Sequence, residues 1–199
     1  MSLDLMLGFN NKQEASKYGV QLGFRNDSSY PDHVLQLGLL NTSDHEFKGV
    51  QTGFMNGVEK MYGLQAGFSN FAAKKGVGVQ LGIINGGEHS RGFQLGGFNL
   101  VTESYAGFQM GAVNYAQEAS GVQAGLVNYV KEEMNGLQMG ALNLAPDEFN
   151  GVQIGVICHA GKGNYMQLGL LTFRGGDRPW YNRVSPLVGF SSNEEKEKK

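Results

Sequence analysis

Cys158 and His159 stand side by side in "GVICHAGKGNY". A thiol next to an imidazole is the one pair in this chain that suggests metal or redox chemistry. A structural zinc site needs four protein ligands. The chain has a single cysteine, and its other histidines, His33, His45 and His89, fall far away in scattered loops. Nor does any serine join them in the logic of a nucleophilic triad. The stretch His159 to Tyr165 has the glycines and lysine of a phosphate loop. It lacks the GxxxxGK[ST] spacing and the helix that would follow. "GVGVQLG" (Gly76 to Gly82) is weaker still. The carboxylates Glu103, Glu118, Glu132, Glu133, Asp147 and Glu148 recur at similar places in successive inserts, as exposed turns would arrange them, without converging on a reacting group. No insert has the dense Asp spacing of a calcium loop. The residues therefore suggest no enzyme, no metal and no cofactor.

The one non-repetitive insert with interaction chemistry is "RGGDRPWYNR". Arg178, Trp180, Tyr181 and Arg183 together suggest a binding patch or an interfacial anchor, or a cap over the end of a sheet. The charged run "NEEKEKK" reads as a tail over 192–199, leaving 1–191 as a single β-repeat domain.

What holds these residues is a repeat. Glutamine occurs at 21, 36, 51, 65, 80, 94, 109, 123, 138, 153 and 167, always with glycine two residues later. Asparagine follows the first nine of these glutamines by five residues, from Asn26 to Asn143; Cys158 and Thr172 take its place in the last two units. Met6, Gly8 and Asn11 sketch a degenerate first unit, and "RVSPLVGF" a divergent last one. Within a unit the period is two. Leu22, Phe24, Leu37, Phe54, Phe68, Leu81, Leu95, Leu126, Ile154 and Leu168 should share one face of extended strands, with the glutamines on the other. Gly makes up 31 of 199 residues, about twice its usual share of roughly 7%, which argues against helix.

Inserts such as "VEKMY", "QEAS", "KEEMN" and "PDEFN" carry the charges and read as turns. Turns of four or five residues suit hairpins, and the glutamine intervals alternate between 14 and 15 for much of the chain. Both favour an antiparallel up-and-down meander closed into a barrel of about 12–14 strands, although counting both end units gives thirteen where bacterial single-chain membrane barrels use even numbers. Its Val/Leu/Phe face would meet lipid and its Gly/Gln face would line a polar, uncharged interior. A β-solenoid, one coil per repeat with stacked Gln and Asn ladders, is the alternative; it would make the chain a soluble scaffold for a protein or glycan.

The repeats "GFQMGAVNYA", "GVQAGLVNYV" and "GLQMGALNLA", with the ending "YMQLGLLTFRGGDRPWYNRVSPLVGF", resemble a family of bacterial surface-repeat proteins with tandem Gly-Leu-Gln-x-Gly-Leu-x-Asn units. The resemblance covers nearly the whole chain. It implies placement in the cell envelope, at the outer membrane or the surface, and supplies no catalytic residues. Members of that family usually carry an export signal and a further strand before the first repeat. Neither is visible ahead of Met6. With 16 basic and 18 acidic residues, no excess charge points to nucleic acid. No stretch reaches the ~18 apolar residues of a membrane helix.

Overall fold

A computed structural model describes residues 4–13, 18–29, 32–175 and 184–192. Its elements are β1 (Asp4–Gln13), β2 (Tyr18–Ser28), β3 (Asp32–Leu37), β4 (Leu40–Lys162), β5 (Tyr165–Arg174) and β6 (Val184–Ser191). β4 runs for 123 residues. It is extended backbone wound into successive coils, because its residues bond to others 14 or 15 positions away.

Successive repeats pair in parallel and in register. Gln21 lies beside Gln36, Gln36 beside Gln51, and Gln153 beside Gln167. The first unit joins the same register, with Met6 against Gln21, Gly8 against Gly23 and Asn11 against Asn26. The fold is therefore all-β, as the strand period indicates, but it is a β-solenoid and not a barrel. The hairpin argument fails because each charged insert carries the chain round the rest of a coil instead of reversing it. The 14/15 beat has a different origin too. Gln to Asn is five residues in every unit that keeps both, so the extra residue lies between Asn and the next Gln, where an exposed turn absorbs it.

The chain divides into two compact units, Met1–Thr102 and Glu103–Lys199. Both have the same coil interior. Each coil turns in its glutamine, its asparagine, a small residue two positions after the asparagine and a variable residue four positions before the next glutamine. In the first unit the apolar part includes a cluster of Phe47, Val58, Met61 and Ala72. Gly76 makes room there, since a Cβ on it would press on Ala72 Cβ at 3.2 Å. In the second unit Ala116, Val130, Ala145 and Ala160 form the small column. Met134 and Phe149 are fully buried, and the Phe149 ring packs tilted against Tyr165 at 5.9 Å. Val58, Met61, Met134 and Phe149 all belong to inserts that read as turns.

"RVSPLVGF" is not a further coil. β6 lies antiparallel on β5, with Thr172 against Ser185 and Tyr165 against Ser191. The reversal is accompanied by a bulge between Gly169 and Thr172 and by a left-handed Leu187 (φ 72°) next to Pro186. A proline and a bulge are what blunt an edge against further pairing.

Candidate functional site: the amide interior and the apolar outer face

Why should an interior be lined with glutamine and asparagine? A buried primary amide costs free energy unless its donors and acceptor are all matched. A parallel solenoid matches them by stacking identical amides about 4.8 Å apart. In the first unit each repeat glutamine from Gln36 on donates Nε2–H to the glutamine of the preceding coil, Gln36 to Gln21 at 2.6 Å and Gln51 to Gln36 at 2.6 Å. The remaining Nε2–H can reach a carbonyl of its own coil, as from Gln80 to Gly86 O at 3.4 Å. The asparagines donate the other way. Asn26 Nδ2 gives one hydrogen to Asn41 Oδ1 at 2.8 Å and one to Leu37 O at 3.0 Å, both in coils further along the chain. The second unit repeats both directions, from Gln138 to Gln123 at 2.9 Å and from Asn128 to Asn143 at 2.8 Å.

Two chains of aligned amide dipoles thus run in opposite directions through each unit, and bonds in such chains polarise one another. The sequence anticipates glutamine-to-glutamine bonding. The asparagine ladder is the one the solenoid alternative calls for: Asn bridges coils instead of closing a local turn. Because the backbone turns a corner between Gln and Asn, residues five apart both point inward, and the aromatic after Asn points out. Phe71 is half exposed, and Tyr115 stacks on Tyr129 at 5.7 Å on the outside.

The glycines make these ladders possible. The one after each glutamine lies beneath the asparagine amide of the previous coil; a Cβ on Gly53 would sit 2.6 Å from Asn41 Nδ2, and one on Gly140 2.7 Å from Asn128 Nδ2. The one before it, such as Gly136 (φ 137°), takes a left-handed backbone against the Gly121 backbone of the neighbouring coil.

The ladder ends are substituted according to polarity. The glutamine ladder begins on Met6, whose Sδ is 3.7 Å from Gln21 Nε2; a thioether can accept and has nothing to donate. The asparagine ladder passes from Asn143 Nδ2 to Cys158 Sγ at 3.7 Å, and that thiol lies 3.8 Å from Leu168 O. Thr172 follows in register and donates to Ser185 O at 2.9 Å. At the other end Gln167 Oε1 is buried without a partner. Gly189 of β6 covers it, where a Cβ would approach within 2.7 Å.

Cys158 is therefore a ladder member. Burial pushes its thiol pKa up and pushes the His159 imidazole pKa down. No group of three or more His, Cys, Asp or Glu side chains with metal-binding geometry occurs among the described residues. In "HAGKGNY" Ala160 joins the small buried column, and the Tyr165 hydroxyl donates to Ala160 O at 3.4 Å and Gly161 O at 3.3 Å. That contact turns carbonyl oxygens inward and makes the stretch a coil corner. The charged side chains of the inserts lie outside and pair within an insert, as Lys48 with Glu46 at 2.6 Å, or between neighbouring coils, as Lys74 with Glu59 at 2.6 Å. Arg178, Trp180, Tyr181 and Arg183 lie outside the described residues, as does the tail from Asn193.

The glutamines and the aliphatic residues do fall on opposite faces, with the amides inside. That leaves the aliphatic residues outside. Phe54 is 53% exposed, Leu126 65% and Leu170 63%. Phe9 stacks on Phe24 at 4.7 Å and Phe54 on Phe68 at 4.8 Å, so the exposed rings form ridges along the coils. No helix of the described residues is long and apolar enough to cross a membrane. Compared with family models, curated proteins and solved structures, the chain matches none of them.

Proposed function

We propose that this protein is a non-catalytic β-solenoid scaffold that works through its outer apolar face. The observation that carries the reading is the inverted placement of side chains. The amides that could hold a polar ligand are spent on one another inside, while Phe54, Phe68, Leu126 and Leu170 are exposed on the outer face. Exposed apolar patches beyond a few hundred Å² mark interaction surfaces. An apolar face selects an apolar partner surface and gives a glycan's hydroxyls nothing to bond. Cys158 and His159, the only pair with chemistry to offer, are tied into the coil stack, which supports a structural role for them. Placement in a bacterial cell envelope, which the family resemblance implies, belongs to the same proposal, and fractionation of the producing cells tests it.

The face itself is tested by photo-cross-linking in those cells. Benzoylphenylalanine at Phe54 or Leu126 should give adducts with a partner, whereas the same probe at Lys131 or Glu148 in the charged inserts should give none. Adducts confined to the insert positions would contradict the reading.

A further inference from the structure

On both sides of every repeat glutamine, the residues at one before, one after and three after point outward. None of these thirty-three positions carries a charge, an amide or a histidine, and none is buried where its exposure is described. The first unit extends the same face through β1, where Leu5, Leu7 and Phe9 are 63%, 67% and 70% exposed.

We propose that the occupant of this face is a second copy of the same chain, docked face to face about a two-fold axis. The proposal rests on the scaffold reading above and identifies its partner. The first argument is period. The face is ridged at the coil spacing of about 4.8 Å, and a second copy is a surface with ridges and grooves of that same spacing, so the two interdigitate as paired sheets do at roughly 10 Å separation. The second is chemistry. With the Thr52 hydroxyl as its one polar side chain, the face gives a polar partner no ion pair and a single hydrogen-bonding group, and an anionic lipid surface no basic residue to hold it. A self-complementary apolar patch meeting its own copy leaves only the Thr52 hydroxyl to be matched.

The third argument is area. In the first unit seven coils, from Met6 to Gln94, contribute to the face. At about 4.8 Å per coil and about 3.3 Å per residue along a strand, with side chains at the margins, this is roughly 500–600 Å² of sheet. Two copies would bury about 1,100 Å², which passes the ~1,000 Å² a specific interface needs.

The test is sedimentation equilibrium of the full chain from about 1 to 100 μM, a range in which a specific pair should be populated. The wild-type chain should be a dimer. Phe54→Glu with Phe68→Glu should be a monomer with an unchanged far-ultraviolet circular dichroism spectrum, and Lys131→Glu should remain a dimer. If the double variant fails to fold, Ile83→Glu, 50% exposed on the same first-unit face, serves as the second face variant and should weaken the pair at least tenfold. A wild-type chain that stays monomeric throughout, or associates equally with and without the glutamates, overturns the second-copy proposal. In that event, cross-links from Phe54 to a different molecule, or Phe54-dependent binding to phosphatidylcholine vesicles, would keep the scaffold reading. Absence of both would remove that as well.

Discussion

Asn26 donates to Asn41 one coil further along the chain, at 2.8 Å. In the same coils Gln36 donates back to Gln21, at 2.6 Å. An interior built from opposed ladders makes each amide the donor of one neighbour and the acceptor of the other. Removing one member therefore orphans two.

Gln65 offers the clearest case, because it donates to Gln51 and accepts from Gln80. Gln65→Leu should leave a buried acceptor and a buried donor unmatched, at about 1–3 kcal/mol each. Gln65→Glu should be worse at neutral pH. Ionised, it can still accept from Gln80 but repels Gln51 Oε1. Burial and that repulsion raise its folded pKa above the ordinary ~4.3. The unfolded chain then loses its proton first as pH rises, so stability falls above ~4.3 and returns on acidification. Urea midpoints across that range check the order. A Glu variant as stable as the Leu variant at neutral pH would contradict the ladder account.

Glycines in this chain should differ sharply in their tolerance of a methyl group. Gly57 has open space around its Cβ position and no left-handed φ. Gly57→Ala should be neutral or stabilise by up to ~1 kcal/mol. Gly136 has φ 137° and lies against the Gly121 backbone. Gly136→Ala should cost about 3 kcal/mol or more. Equal thermal shifts for the two variants would argue against close coil stacking.

Cys158 occupies an asparagine place in the ladder and makes only long sulfur contacts, 3.7 Å from Asn143 and 3.8 Å from Leu168 O. Its companion Gly169 is retained. Cys158→Asn should therefore extend the ladder and stabilise the chain by about 0.5–1.5 kcal/mol, measured by denaturant unfolding. A destabilised variant would mean that the sulfur fits a site too small for the amide.

How much of this was open to reading in the sequence is clearest at Gln123 and Leu126. Alternation of period two separates their faces whichever way the next strand runs, so that split was legible. Strand direction was not, since pairing is set by how far each insert carries the chain and not by any residue within the strand. The barrel reading put Gln123 inside and Leu126 outside, as they are, but around a polar lumen and not in a closely stacked interior. The usual rule buries Leu126 and exposes Gln123, and it reverses here because stacked amides satisfy one another. Met134 and Phe149 were concealed in charged inserts. The available signal was the small residue two places after each Asn (Ala116, Val130, Ala145), which starts a second inward alternation.

His159 should contribute a pH dependence to the second unit just below neutrality. Burial holds its folded pKa below the ordinary value of 6.5. The unfolded chain therefore takes up the proton first as pH falls, and stability should decline below ~6.5. His159→Gln should flatten that decline, read as urea midpoints at about pH 7.5 and pH 5.5. An identical decline in the variant would assign it to the carboxylates.

The amide interior can be observed directly by hydrogen exchange of side-chain NH2 groups, followed by ¹H–¹⁵N spectra after transfer to D2O. The repeat glutamines and asparagines should keep their signals, with Gln65, Gln138 and Asn128 among the slowest, because both hydrogens of each buried amide are held away from water. Asn135 and Asn150, whose Nδ2 groups donate to Glu133 and Glu148 in the exposed inserts, should lose theirs at once. Exchange of the glutamine and asparagine side chains as fast as Asn135, in a chain that is otherwise folded, would contradict the ladder interior and the inverted placement of its apolar face.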